Sequence, residues 1–294
     1  METVPLRIGV EIRGLRLDRP ITDQDASELR RLLADRQLLV FREQAISPED
    51  QIRVLEIFGK VLDEKADGLR YQYVSGEKTS VKPGRLLFHS DNHFTQVPLE
   101  LLSLYGEKVG AKATPTLFAD NIAGYERLSP ECREKLENLT VINRSFFHLG
   151  LSDRTARELP AELEGGPVAR HPAVWRHPDS GKPFVYLTEL HAYRLDGLDE
   201  EESRALLDEV FATLYDPATI HEHRWADGDL VIWNNRTVQH ARGPLDETDE
   251  AAASARSIRR VSTGTITFTD QFRFTPEIIA RMGDFYQQSV AADN

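Results

Sequence analysis

The chain has 294 residues, 40% of them hydrophobic, enough to bury a large core in a single domain spanning 1–294. Its formal net charge of -12 at pH 7 excludes a nucleic-acid groove, because phosphate binding needs clustered positive charge. The lone Cys132 excludes an internal disulfide and fits a reducing compartment, and neither a signal peptide at Met1-Glu2-Thr3-Val4-Pro5 nor a run of ~18 apolar residues is found, so a cytoplasmic protein without a membrane partner is expected.

In chain order, Ile8-Gly9-Val10-Glu11-Ile12 reads as a half-buried strand. A helix then starts at Thr22 or Asp23, either of which can cap free amides, and runs to about Arg36. Leu38-Leu39-Val40-Phe41-Arg42 is an apolar strand, and Ser47-Pro48-Glu49-Asp50 opens a second helix with a serine cap and a proline in the first turn. From 60 to 85 the composition turns polar, which predicts a long loop around Tyr71-Gln72-Tyr73 and a candidate substrate lid.

Leu101 to Tyr105 and Thr116 to Ala119 read as strands, and Asn121 to Leu139 carries a helical pattern that restarts at Ser129-Pro130. Ser152 to Gly166 is charged and predicts an exposed excursion, with Cys132 before it structural. A short strand and a Gly/Pro/Asp turn lead into Phe184-Val185-Tyr186-Leu187, and Asp199 to Leu214 is an amphipathic helix. His221 to Trp225 and Asp229 to Trp233 flank Asp227-Gly228, a hairpin dipeptide. The last strand is expected over 258–268, and 245–254 reads as an insert before it. Strands dominate the second half and helices sit near the start and in inserts. That order predicts a mainly β fold with helical additions, a sandwich or jelly roll.

Chemistry concentrates in Phe88-His89-Ser90-Asp91-Asn92-His93-Phe94. On an extended segment His89 and Asp91 leave from one face, and His240, after the strand-like Asp229 to Trp233 run, can complete a set of two imidazoles and a carboxylate. Such a set with open positions suits non-haem Fe(II). His93 would lie ~13 Å along a strand from His89, too far for the same metal. His221 and His223 read as packing or surface residues, and Trp225 and Trp233 as core aromatics. Asn235-Arg236 is expected to fix the loop that presents His240. Tyr71, Tyr73, Arg85, His191 and Tyr193 are candidate substrate contacts, on loops or strand ends that flank the site.

Taken together, Val40 to Gln44, Phe88-His89-Ser90-Asp91, Pro115 to Asp120, His177 to Lys182, Asp227 to Arg236, His240 and Arg259-Arg260-Val261-Ser262 resemble the taurine dioxygenase family, which includes the 2,4-dichlorophenoxyacetate dioxygenases. The resemblance implies a double-stranded β-helix (jelly roll) and the use of Fe(II), 2-oxoglutarate and O2 to oxidise a C–H bond of a small molecule, with release of succinate and CO2. It implies that His89, Asp91 and His240 bind the iron and that Thr116 and an arginine hold the distal carboxylate of 2-oxoglutarate. Arg260 is the first choice for that arginine and Arg256, on the same strand face, the second, while Arg259 points the other way.

A spare arginine points to an anionic substrate. Gly264, at the position taken as that of the family's second arginine, points away from one unless Arg256 or Arg85 supplies the charge. Family members commonly form dimers or tetramers, so a homo-oligomer is expected. Two rival readings are a cupin-type metal-binding protein, which would not consume oxygen, and a Zn(II) hydrolase, which would not need it.

Overall fold

The structure, a computed structural model, describes residues 1–63, 68–75, 85–110, 113–145, 154–159, 167–243 and 256–271. Two helices follow from their caps. In α1 (Asp23–Arg36) the Thr22 hydroxyl accepts the Asp25 N–H at 3.1 Å, and Gln37 closes the helix with φ 65°. In α2 (Pro48–Glu56), Ser47 and Asp50 form a reciprocal capping box. Both helices cover one side of a seven-stranded sheet. Its strands are β1 (Glu2–Pro5), β2 (Val10–Arg13), β3 (Leu38–Phe41), β4 (Gln72–Ser75), β6 (Leu101–Val109), β14 (Leu230–Asn234) and β16 (Arg256–Thr263), in the order β1-β2-β3-β14-β6-β16-β4.

Alternation along these strands builds two cores. Leu39, Phe41, Tyr105, Leu230, Ile232 and Val261 pack with α1 and α2. Leu38, Val40, Leu102, Leu104, Val231, Trp233 and Ile258 turn the other way and pack with Phe118, Val238 and Trp225. Phe118 and Val238 belong to a four-stranded sheet of β5 (Leu86–His89), β7 (Thr116–Asp120), β13 (His221–His223) and β15 (Val238–Arg242), ordered β13-β7-β15-β5. Each fully buried Leu or Phe here contributes roughly 1.5–3 kcal/mol, so the second core ties the two sheets rigidly together.

A third core lies behind the four-stranded sheet. It joins α3 (Asn121–Arg127), α4 (Pro130–Glu137) and α5 (Glu200–Leu214) to the sheet β12-β8-β9 and a hairpin. These strands are β8 (Thr140–Arg144), β9 (Val168–Pro172) and β12 (Ala192–Asp196), and the hairpin is β10 (Val174–Arg176) with β11 (Pro183–Val185). The helical pattern over 121–139 splits in two because Ser129, preceding Pro130, is forced to an extended backbone with ψ 151°. Cys132 is buried in α4, and burial together with Glu209 pushes its thiol up to about 11, consistent with a structural role.

The sequence reading needs correction at several places. β1, which it missed, pairs with β2. The expected loop over 60–85 contains the edge strand β4, hydrogen-bonded to β16; 64–67 and 76–84 lie outside the described residues. In 152–166 only 154–159 is described, and there Ala156 and Leu159 are buried instead of exposed. β13 and β14 are not a hairpin: Asp227-Gly228 carries the chain from one sheet to the other, and Gly228 adopts φ 79° against Gln44. The last strand runs Arg256–Thr263 and is followed by the short helix Phe268–Gln271. The insert 245–254 lies outside the described residues. Among the described residues no helix is long and apolar enough to cross a membrane.

Candidate metal centre

Antiparallel pairing sets His240 of β15 directly opposite His89, the last residue of β5, with the two rings 4.2 Å apart. Asp91 does not extend the strand. The chain turns after His89, with Asn92 at φ 55°, and this turn brings the carboxylate back over the two rings. Asp91 Oδ1 lies 3.2 Å from His89 Nε2 and 3.6 Å from His240 Nε2. One ligand atom from each residue lies within 4.8 Å of the others, the only such group of His, Cys, Asp and Glu among the described residues.

Each member is held from outside. The fully buried Asn235 accepts the Asp91 N–H at 2.9 Å and donates to the carbonyls of Asp91 at 3.0 Å and Leu99 at 3.3 Å. Asn235 therefore fixes Asp91, where the sequence reading had it fix His240. His89 Nδ1 lies 2.9 Å from the Leu87 carbonyl; a carbonyl only accepts, so Nδ1 carries the proton and Nε2 keeps its lone pair for a cation. Among the described residues His240 has no such tether on Nδ1, and its ring is instead packed against Trp233 at 5.0 Å. Arg260 Nε donates to Asp91 Oδ2 at 2.8 Å, leaving Oδ1 as the oxygen turned to both imidazoles.

The charges suit a cation. Burial alone would push the Asp91 carboxyl up, but the Arg260 guanidinium beside it outweighs this and holds the group well below the usual carboxylate range. Burial, with His89 beside it, pulls His240 down to about 3. The cluster thus offers an ionised carboxylate and unprotonated imidazole nitrogen at neutral pH, and this donor set fits Fe(II) without prior loss of protons.

Further along the inner face, Arg242 lies two residues after His240 and pairs across the sheet with Thr116. The Trp225 indole donates to Thr116 Oγ1 at 2.9 Å, so the threonine keeps its own hydroxyl proton to donate. Arg256 is buried, donates to the Thr114 carbonyl at 2.7 Å and is pulled down to about 9 by burial and by the charge of Arg242. No carboxylate pairs with Arg256 among the described residues. Sequence reasoning missed Arg242, although its period-two spacing from His240 was the available signal.

The substrate candidates separate. Tyr73 stands opposite Arg259 on β16 and Gln72 opposite Arg260; cross-strand partners share a face. Arg259 reaches Gln51 and the Ile46 carbonyl on the helix side, and Tyr71 packs into that same core. Both tyrosines therefore face away from the cluster, and Gln72 shares the face of Arg260. Tyr193 packs on Ala156 and Leu159, under the Arg144 guanidinium at 4.7 Å. Arg85 is exposed, and its charge acts on Glu189. His191 alone of the five touches the cluster, its ring 6.2 Å from that of His89. Burial and His89 pull it down to about 3.

A family model described as "Taurine catabolism dioxygenase TauD, TfdA family" matches residues 2–262. The chain is 27% identical to an (S)-phenoxypropionate/alpha-ketoglutarate-dioxygenase of Sphingobium herbicidovorans, over 82% of this chain and 88% of that relative. It is 27% identical to an alpha-ketoglutarate-dependent 2,4-dichlorophenoxyacetate dioxygenase of Cupriavidus pinatubonensis, over 87% and 93%. A taurine dioxygenase of Burkholderia xenovorans superposes with a TM-score of 0.75 at 22% identity, covering 90% of this chain and 91% of that one.

Proposed function

From the premise that the chain belongs to the TauD/TfdA dioxygenase family, we propose that His89, Asp91 and His240 hold Fe(II), that Thr116 and Arg256 hold the distal carboxylate of 2-oxoglutarate, and that Arg260 meets an anionic group of the substrate. The enzyme itself is an Fe(II)- and 2-oxoglutarate-dependent dioxygenase that acts on a small molecule and consumes O2. Its two sheets around one shared core are read as a double-stranded β-helix, or jelly roll, in one domain.

The observation that carries the metal assignment is Asp91: one carboxylate oxygen faces two imidazole nitrogens while the other is taken by Arg260. Bound there, Fe(II) with 2-oxoglutarate supplies the oxidation of a C–H bond, coupled to release of succinate and CO2. The chain's own residues do the positioning. Asn235 and Leu87 fix the orientations of Asp91 and His89, and Arg260 keeps Asp91 ionised.

For 2-oxoglutarate the geometry favours Arg256 over Arg260. Arg256 is a buried cation without a carboxylate partner among the described residues, close to Arg242, which pairs across the sheet with Thr116, and an incoming carboxylate would neutralise it. Arg260 is engaged by Asp91. With Arg256 in that role, Arg260 becomes the second arginine, four residues on, and Gly264 no longer argues against an anionic substrate. Gly264 instead backs onto Leu62 and Leu99. The named substrates of the two relatives are carboxylates, in keeping with this reading.

Oxygen uptake and succinate release, measured together across aryloxyacids, sulfonates, amino acids and nucleotides, test it. One succinate per O2, stimulated by anionic compounds, is expected. Turnover without oxygen would favour a Zn(II) hydrolase, and metal binding without oxygen uptake a cupin-type binding protein.

A further inference from the structure

The two strands that carry the imidazoles are also gripped from behind. Side chains alternate across a sheet, so Phe88 and Gln239, the residues just before His89 and His240, point to the outer face. Both meet Tyr215, which directly follows α5. The Tyr215 ring stacks on Phe88 at 4.3 Å with 7° between the planes, and Phe211 of α5 continues the stack at 5.6 Å and 14°. The Tyr215 hydroxyl donates to Gln239 Oε1 at 2.7 Å and accepts the Glu189 N–H at 3.1 Å. Support of this kind matters for β5, a four-residue strand at the edge of its sheet. On that edge the Leu190 N–H reaches the Phe88 carbonyl at 3.1 Å.

The bonds continue beyond the tyrosine. Gln239 Nε2 donates to the Leu187 carbonyl at 2.8 Å and to Asn121 Oδ1 at 2.7 Å, and Asn121 Nδ2 donates to the Arg236 carbonyl at 3.0 Å. A backbone carbonyl only accepts, so the Gln239 amide is oriented with Oε1 toward the tyrosine. Burial pushes the Tyr215 hydroxyl well above its ordinary value, and it keeps its proton to donate. Arg236 in turn follows Asn235, which fixes Asp91. Together with the ring stacked on Phe88, one connected buried set therefore touches the chain neighbour of His89, of His240 and of the residue that holds Asp91.

We infer that Tyr215 is a positioning residue for the metal centre: from the outer face of the sheet its ring and hydroxyl set the spacing of the strands that present His89 and His240. It lies behind the ligands and does not touch the metal. This rests on the reading of His89, Asp91 and His240 as the Fe(II) ligands. Removing partners that orient metal ligands weakens metal binding by about ten- to a hundredfold.

Tyr215→Phe keeps the stack on Phe88 and deletes the hydroxyl, and Tyr215→Leu deletes both. Anaerobic titration of the full chain with Fe(II) at saturating 2-oxoglutarate, read from the charge-transfer band, is expected to show about tenfold weaker Fe(II) binding in Tyr215→Phe and a larger loss in Tyr215→Leu. Tyr125→Phe is the control, because it deletes a hydroxyl that donates to Glu137 at 2.6 Å in the third core and bonds to neither ligand strand. It should lower the urea unfolding midpoint of the metal-free chain, as Tyr215→Phe does, yet keep wild-type Fe(II) affinity. Gln239→Leu removes the acceptor of the Tyr215 hydroxyl, so Tyr215→Phe added to it should weaken Fe(II) binding by a smaller factor than Tyr215→Phe alone. Wild-type Fe(II) affinity in Tyr215→Phe, an equal loss in Tyr125→Phe, or full multiplication of the two losses in the double variant overturns the inference and leaves the metal assignment standing. No band in the wild type, or a full band in His89→Ala, removes the metal assignment and this inference with it.

Discussion

Replacing Arg256 with methionine separates the two arginines of β16. Burial, and then the charge of Arg242, pull its guanidinium down to about 9, well below its ordinary value. At about 1.36 kcal/mol per pH unit, that is on the order of 5 kcal/mol of unfavourable surroundings for the cation. A carboxylate docked between Arg256 and Thr116 relieves much of it and gains charge-assisted hydrogen bonds of about 1.5–3 kcal/mol each. Arg242 remains in the variant and offsets part of the loss, so a net penalty of about 3 kcal/mol is expected. The KM for 2-oxoglutarate should then rise by roughly a hundredfold, read from initial rates of succinate release and from the 2-oxoglutarate dependence of the anaerobic charge-transfer band. Arg260→Met should leave that KM within a few-fold and weaken the primary substrate instead. A wild-type KM for 2-oxoglutarate in Arg256→Met, with the large rise appearing in Arg260→Met, would refute the assignment.

Two further outcomes follow from the same geometry. Asn235→Ala removes three buried hydrogen bonds, two of them to the Asp91 backbone; a loss of about 2–4 kcal/mol in urea unfolding is expected, with roughly tenfold or greater weakening of Fe(II) binding, and an unchanged unfolding midpoint would contradict it. His221 is held down to about 4, by burial and then by His223, Arg42 and Arg7, against an ordinary 6.5. Between those pH values the unfolded chain takes up a proton at His221 that the folded chain refuses, so stability falls as pH drops. His221→Gln should abolish that share, about 2 kcal/mol at pH 4 after allowance for solvent screening at a side chain that is not wholly buried. Parallel stability profiles for variant and wild type across that range would count against it.

How far the sequence revealed the molecule depended on how local the cause was. Thr22, Ser47 and Asp199 act within one helical turn, and the helices they begin stand where the sequence puts them. The triad was legible because residue types and order carry it, although the path was misjudged: Asp91 reaches the cluster from a turn rather than from the face of a strand. The remaining errors came from pairing between distant segments. Nothing local distinguishes β4 from a polar loop, since its partner β16 lies far downstream, and that register decides that Gln72, not Tyr71 or Tyr73, faces the site. Asp227-Gly228 has hairpin chemistry, yet β14 is claimed by β3 and β6. The proposed preference for Arg256 over Arg260 draws on a contact of the same distant kind, that of Arg260 with Asp91.

Anaerobic titration of the protein with Fe(II) in the presence of 2-oxoglutarate, followed by the visible charge-transfer band, addresses the metal centre directly. The band should saturate at one Fe(II) per chain and be lost in His89→Ala, Asp91→Ala and His240→Ala, while His93→Ala retains it. A full band in any of the three triad variants, or no band in the wild type, would contradict the assignment.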